Sequence, residues 1–177
     1  GKLWKTLKGH KNAITSLAFR FDGRVLASSS SDGTIRLWEV ATGKERIQIR
    51  WTTWMRAFYS VKWSTDGKRI IAGSSNATVH MWRAADGKLV FTTTPGFVPA
   101  TGVEKHCETG SECQKNEFCY FYQCLPLKIE KGHTYDVTSV AISQNSRWIA
   151  SGSNDYTIRI WSASTGKLFH TLGPGLT

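Results

Sequence analysis

The sequence predicts an all-β fold made of three repeated sheets, each of four antiparallel strands. Three observations predict it. First, residues 26–38 (LASSSSDGTIRLW), 70–82 (IIAGSSNATVHMW) and 149–161 (IASGSNDYTIRIW) are copies in one register, closing on Trp38, Trp82 and Trp161. Internal repetition of this kind fixes architecture before any local motif does. Second, the apolar period within each copy is two, the period of a half-buried strand, and nowhere the 3.6 of an amphipathic helix. Third, Gly-, Asp- and Asn-bearing turn signals recur at the 8–12-residue spacing of short antiparallel strands.

The elements follow in order. A first strand reads Ile14–Phe19, and its equivalents read Phe58–Trp63 and Val137–Ile142. Turns at Asp22-Gly23, Asp66-Gly67 and Asn145-Ser146 lead into a second strand, which opens each copied stretch. A tight turn around Asp32-Gly33, Asn76-Ala77 or Asp155-Tyr156 precedes a third strand ending on the tryptophan. Asp-Gly suits that turn because it tolerates positive φ. Turns at Thr42-Gly43-Lys44, Asp86-Gly87-Lys88 and Thr165-Gly166-Lys167 introduce a fourth strand, as in Glu45–Arg50 and Leu168–Leu172.

The units are unevenly spaced. Trp38 and Trp82 are 44 residues apart, Trp82 and Trp161 are 79 apart, and the excess of 35 is an insertion or a decayed unit. Gly9-His10 and Gly132-His133 each place a histidine 28 residues before the closing tryptophan; the same offset in the middle unit falls on Trp54.

Gly-His followed by Asp-x-Thr-Ile-Arg-Leu-Trp resembles the WD-repeat β-propeller family over residues 2–95 and 128–172, although Glu39, Arg83 and Ser162 stand where the family's Asp gives it its second letter. The resemblance implies three propeller blades, part of or assembling into a larger propeller, because closure takes 4–8 blades. It also implies a buried tetrad in each intact blade: His10, Ser28, Asp32 and Trp38 in the first, His133, Ser151, Asp155 and Trp161 in the third. The middle unit would hold Trp54, Ala72, Asn76 and Trp82, and should be the least stable. Ser, His and Asp together are also the residues of a nucleophilic triad. Their recurrence in two copies, each tied to a tryptophan and a turn, points to architecture and to a protein that is not an enzyme.

The family's partner contacts cluster near the start of the first strand and just before the turn acid. Those positions are Ala13, Thr15 and Ser31; Ala57, Tyr59 and Ser75; Asp136, Thr138 and Asn154. Tyr59 and Asp136 are the expected anchors, with Thr15, Thr138 and Asn154 beside them, since aromatic residues are enriched in interfaces. Leu3–Lys8 reads as the fourth strand of a preceding blade, so both ends of the chain want a neighbour: more of the same propeller, a second copy, or another protein.

The net charge of +10 admits nucleic acid, acidic proteins or anionic membranes. The basic residues form no run longer than two and no recognition helix is visible, which disfavours nucleic acid. No apolar stretch reaches the 18 residues of a membrane span, and Gly1–Lys5 does not resemble a signal peptide.

All four cysteines, Cys107, Cys113, Cys119 and Cys124, lie in the insertion at 96–127, which separates two blades at 1–95 from the third at 128–177. Short segments without a core are often stapled by disulfides. The cysteine pattern resembles small secreted modules, and on that likeness Cys107–Cys119 with Cys113–Cys124 is the expected pairing among three connectivities. A four-thiolate zinc site, with His106 as a substitute ligand, is the alternative, but no cysteine pair has zinc-like spacing; no metal or other cofactor is expected. Disulfides imply an oxidising compartment, whereas the family resemblance implies an intracellular one. Phe118, Tyr120, Phe121 and Tyr122 make the insert a second candidate surface. Asn76-Ala77-Thr78 fits a glycosylation acceptor, and fits a tight turn better. The function expected is a non-catalytic scaffold for protein partners. A regulatory domain of a larger enzyme, or an extracellular assembly subunit using the insert, is the alternative.

Overall fold

A computed structural model describes residues 1–51, 57–93, 117–120, 123–126 and 132–173, the two short stretches at 117–126 by backbone only. The first blade is a sheet of β1 (Ile14–Phe19), β2 (Val25–Ser30), β3 (Thr34–Glu39) and β4 (Glu45–Arg50), hydrogen-bonded in that order. The middle blade repeats it with β5 (Phe58–Trp63), β6 (Arg69–Ser74), β7 (Val79–Arg83) and β8 (Leu89–Thr92). A two-stranded hairpin follows, β9 (Glu117–Tyr120) with β10 (Gln123–Pro126). The third blade uses β11 (Val137–Ile142), β12 (Trp148–Ser153), β13 (Ile158–Ser162) and β14 (Leu168–Leu172). Neighbouring strands are antiparallel throughout, and no helix occurs among the described residues.

The repetition extends to irregularities. The register shifts at the same place in each blade, between Ile14 and Ser16, Phe58 and Ser60, and Val137 and Ser139. The turn before the third strand holds Gly33 at φ 74°, Ala77 at 63° and Tyr156 at 64°. Only the first copy places glycine where the left-handed conformation demands it.

The core lies in the two seams between blades. In the first, Val25, Ile35 and Leu37 pack against Phe58, Val61 and Trp82. In the second, Ile71, Val79 and Met81 pack against Val137, Val140 and Trp161. Each such side chain contributes about 1.5–3 kcal/mol on burial. Polar ties cross the same seams: the Trp63 indole donates to Ala18 O (2.9 Å) and Val140 N donates to Ser60 Oγ (3.3 Å). At Gly73 a Cβ would meet Val137 O at 2.7 Å, so the backbones touch. The third blade therefore packs directly on the middle one. This excludes the insertion as a blade between them, and its described part is only the β9–β10 hairpin.

In that hairpin Cys119 is opposite Cys124. Cys107, Cys113, His106, Phe121 and Tyr122 lie outside the described residues, as do the side chains of Phe118 and Tyr120 and any pairing of the cysteines. Leu3–Lys8 forms no strand, a departure from its reading as one. Its position is informative nonetheless. Gly87 and Gly166 lie against β4 and β8 of the preceding blades, and Gly43 lies in the same way against Lys5 and Leu7. Lys5 Nζ also donates to Thr42 O (2.6 Å). The segment occupies a fourth-strand position without the other three strands to pair with. Among the described residues no helix is long and apolar enough to cross a membrane.

Candidate functional site

The two sets of Ser, His and Asp are each brought together by three different strands or turns. In the first blade the Trp38 indole donates to Ser28 Oγ (2.8 Å), Ser28 Oγ lies 2.7 Å from His10 Nε2, and His10 Nδ1 lies 2.9 Å from Asp32 Oδ2. In the third blade Trp161, Ser151, His133 and Asp155 repeat these contacts at 2.7, 2.7 and 2.9 Å. One proton assignment satisfies every link: indole to serine, serine to Nε2, Nδ1–H to carboxylate. Asp32 Oδ1 also accepts from Thr34 N (2.9 Å) and Thr34 Oγ1 (2.6 Å), closing the tight turn. Thr157 does the same for Asp155.

The hydrogen-bond order is that of a hydrolytic triad. The surroundings differ. Ser28 and Ser151 are 3% and 1% exposed, and a tryptophan N–H already occupies each hydroxyl oxygen. Burial is the largest single influence on Asp155 and opposes its ionisation. Hydrogen bonds from Thr157, His133 and Thr134 N together outweigh burial and hold the carboxyl at about 2. Asp32 meets the same opposition from burial and is depressed in the same way by Thr34, Lys11 N and His10. Burial lowers His133, and Asp155 offsets part of that.

The middle blade lacks this arrangement. Ala72, fully buried, stands at the serine position, and Trp54 lies outside the described residues. Sequence reasoning missed what replaces it. His80, at the place of Arg36 and Arg159, turns inward and is completely buried. It stacks on Trp82 (centroids 5.3 Å apart, 20° between planes) and packs against Trp51 and Phe58. Thr78 Oγ1 lies 2.6 Å from its Nε2 and 2.9 Å from Ser74 Oγ, and Asn76 Oδ1 is within reach of both hydroxyls as an acceptor. His80 Nδ1 has no hydrogen-bond partner among the described residues, and burial pushes the imidazole down to about 3. The signal available in the sequence was a histidine where two copies carry arginine. Asn76 and Thr78 are committed to this turn, and Thr78 is buried, which supports the turn reading of the Asn-Ala-Thr pattern.

The candidate partner positions group at one edge of each blade. Ser31 N bonds Ala13 O, Ser75 N bonds Ala57 O and Asn154 N bonds Asp136 O, all at 3.0 Å. Tyr59 and Asp136, from different blades, come together at the second seam. Burial first, then the charge and hydrogen bonding of Asp136, raise the Tyr59 phenol above its ordinary value. Asn154 and Thr138 are exposed, although Thr138 Oγ1 donates to Gly152 O (3.3 Å). Thr15 is different: its hydroxyl donates to Phe58 O (2.5 Å) and meets Ser29 Oγ (2.9 Å), tying the first blade to the middle one. Among the described residues no cluster of three His, Cys, Asp or Glu side chains is arranged to hold a metal.

Known proteins share this pattern. The family described as WD domain, G-beta repeat, matches residues 1–39, 54–83 and 124–162. A probable E3 ubiquitin ligase complex SCF subunit sconB of Arthroderma otae is 37% identical over 93% of this chain and 24% of its own length. Apoptotic protease-activating factor 1 of Rattus norvegicus is 28% identical over 94% of this chain and 13% of its own length. The solved structure of U3-55K matches with a TM-score of 0.71 at 19% identity, over 97% of this chain and 42% of that one, a likeness of fold. The chain thus spans less than half of each of these proteins.

Proposed function

The chain belongs to the WD-repeat family, and from that premise we propose that it is a non-catalytic scaffold segment that binds protein partners along the Tyr59–Asp136 edge. WD-repeat propellers generally serve as interaction scaffolds. The observation that carries the edge assignment is the meeting of Tyr59 and Asp136 at the second seam, with exposed Asn154 and Thr138 alongside. An aromatic body with a polar tip beside a carboxylate offers area and direction together, the combination that hot spots favour. Thr15 drops to a supporting role because Phe58 O and Ser29 take its hydroxyl. The Ser-His-Asp sets act as blade locks. A substrate cannot approach serine oxygens that are buried and already bonded to indole N–H groups.

The test is the double substitution Tyr59→Ala with Asp136→Ala, read as affinity for the proteins that co-purify with the chain. A loss of about tenfold or more is expected. Unchanged affinity contradicts the assignment.

A second part of the reading concerns the ends. Leu17 and Phe19, on the open face of β1, are 57% and 61% exposed, while their equivalents Val61 and Trp63 are buried in a seam. Ile158 and Leu172 stand similarly open at the other end, while their counterparts Val79 and Thr93 are buried. Further blades, from the same protein or from a second copy, are proposed to cover both faces. The cysteines are proposed to be disulfide-bonded. The register of Cys119 opposite Cys124 supports a bridge across the hairpin over the crossed pairing, and mass analysis with alkylation before and after reduction decides it.

A further inference from the structure

The two seams are built differently at the end of the blades opposite the Tyr59–Asp136 edge. In the second seam Arg69 reaches across and donates to Ala163 O (3.2 Å), and Thr65 bonds Ser146 (2.6 Å), so side chains bridge the seam. In the first seam the residue equivalent to Arg69 is Val25, which is too short to cross. A cleft of about 380 Å³ remains there. Its floor is apolar: Val25, Leu37 and Trp63, whose indole N–H is already spent on Ala18 O. Its rim is cationic: Arg20, Arg46, Lys68 and Arg83, with no carboxylate among the lining residues. Asp22 and Asp86 engage Arg20 and Arg83. Arg46 has no ion-pair partner among the described residues, and Lys68 meets only the charge of Asp66 in its own turn. The second seam has Val90 in place of Arg46, Ser64 in place of Arg20 and Ser162 in place of Arg83; only Lys68 has a cationic counterpart there, Arg147. The first seam therefore carries the larger share of rim cations, while the guanidinium of Arg69 in the second is directed across to Ala163 O.

We propose that this cleft binds an acidic peptide segment of a partner protein, seating one apolar side chain over Val25, Leu37 and Trp63 and pairing the flanking carboxylates with Arg46 and Lys68. The occupant follows from complementarity. A dry floor rewards an aliphatic or aromatic side chain, and uncompensated cations reward carboxylates on either side of it. The inference rests on the scaffold reading and adds a second, chemically distinct surface to it.

The experiment is fluorescence anisotropy on the intact protein with a labelled Glu-Glu-Leu-Phe-Glu-Glu peptide. Saturable binding is expected, weakened about tenfold or more when glutamine replaces each glutamate, and again by Arg46→Glu with Lys68→Glu. Both positions are exposed, so these substitutions leave the core intact. A Lys-Lys-Leu-Phe-Lys-Lys peptide should bind the charge-reversed variant and not the native protein. The proposal is overturned if the glutamine peptide binds equally, or if the variant binds the acidic peptide unchanged. It is also overturned if oligothymidylate displaces the peptide at lower concentration than unlabelled peptide does, or if the variant loses self-association, which would make a second copy the occupant. The edge variant Tyr59→Ala with Asp136→Ala separates the two readings. If natural partners still depend on that edge while the acidic peptide fails to bind, only the cleft proposal falls.

Discussion

The middle blade and the third blade solve one packing problem with different chemistry. Each must bury a closing tryptophan against the blade before it. The third blade threads a hydrogen-bonded line through Trp161, Ser151, His133 and Asp155, in which every polar atom has a partner. The middle blade stacks Trp82 on His80 and fills around it with Trp51 and Phe58, leaving His80 Nδ1 unpaired. A satisfied network specifies one arrangement, whereas aromatic stacking supplies area with less direction. Losing the tetrad does not empty the blade. It exchanges a fully bonded polar line for a histidine stacked on tryptophan and hydrogen-bonded on one side, to Thr78, which is a pH-sensitive flaw.

That flaw gives the largest expected effect. His80 is pushed from 6.5 down to about 3 by burial, so the folded state keeps it neutral while the unfolded state protonates below 6.5. Stability should fall as pH drops from about 6.5 towards 3, by up to about 1.4 kcal/mol for each pH unit. Asp155 acts in a lower window: its folded value is about 2 against 3.8, so its contribution is complete above 3.8 and is lost only as pH falls through 2. Between pH 6.5 and 4 the loss therefore belongs to histidine, chiefly His80, with His133 adding in the same direction. Urea midpoints against pH should flatten in His80→Leu; an unchanged slope would break the comparison.

Next in size is Ser151→Ala. It strands the Trp161 indole and His133 Nε2 in a buried site, and should cost about 2–4 kcal/mol by urea unfolding. A loss under about 0.5 kcal/mol would deny the network its role as a lock.

Glycine sharpens the contrast between covered and open ends. A Cβ at Gly73 would meet Val137 O at 2.7 Å, while one at Gly152, the same position in the third blade, meets nothing within 4 Å. Gly73→Ala should cost about 1–3 kcal/mol, and Gly152→Ala close to nothing while that face is open. In an assembly where a further blade covers the face, Gly152→Ala should weaken association; thermal unfolding at two concentrations reads both. The smallest effect is a gain. Ala77 holds φ 63° where the first blade has Gly33, and Ala77→Gly should stabilise by about 0.4–1 kcal/mol in the same assay.

Most of the fold was legible because its determinants are local. Period-two alternation bounded by turn residues located strands such as Glu45–Arg50 to the residue. The Ser, His and Asp sets were legible because they repeat. What escaped was set between blades. Whether Thr15 faces a partner or donates to Phe58 O depends on a strand 43 residues away. The cleft in one seam and the bridge across the other turn on Val25 against Arg69, each ordinary at the start of a strand. His80 was hidden differently: arginine stands at its place in the other two copies, so the repeat does not mark a histidine stacked on the closing tryptophan.

The neighbour proposed for the open end faces can be sought with the blades alone. Light scattering of the 177-residue chain, across a concentration series, tests for it most directly. The account predicts masses at multiples of 19.8 kDa that rise with concentration, with β1 and β14 protected from hydrogen exchange in the associated form. A folded, concentration-independent monomer of 19.8 kDa would contradict it.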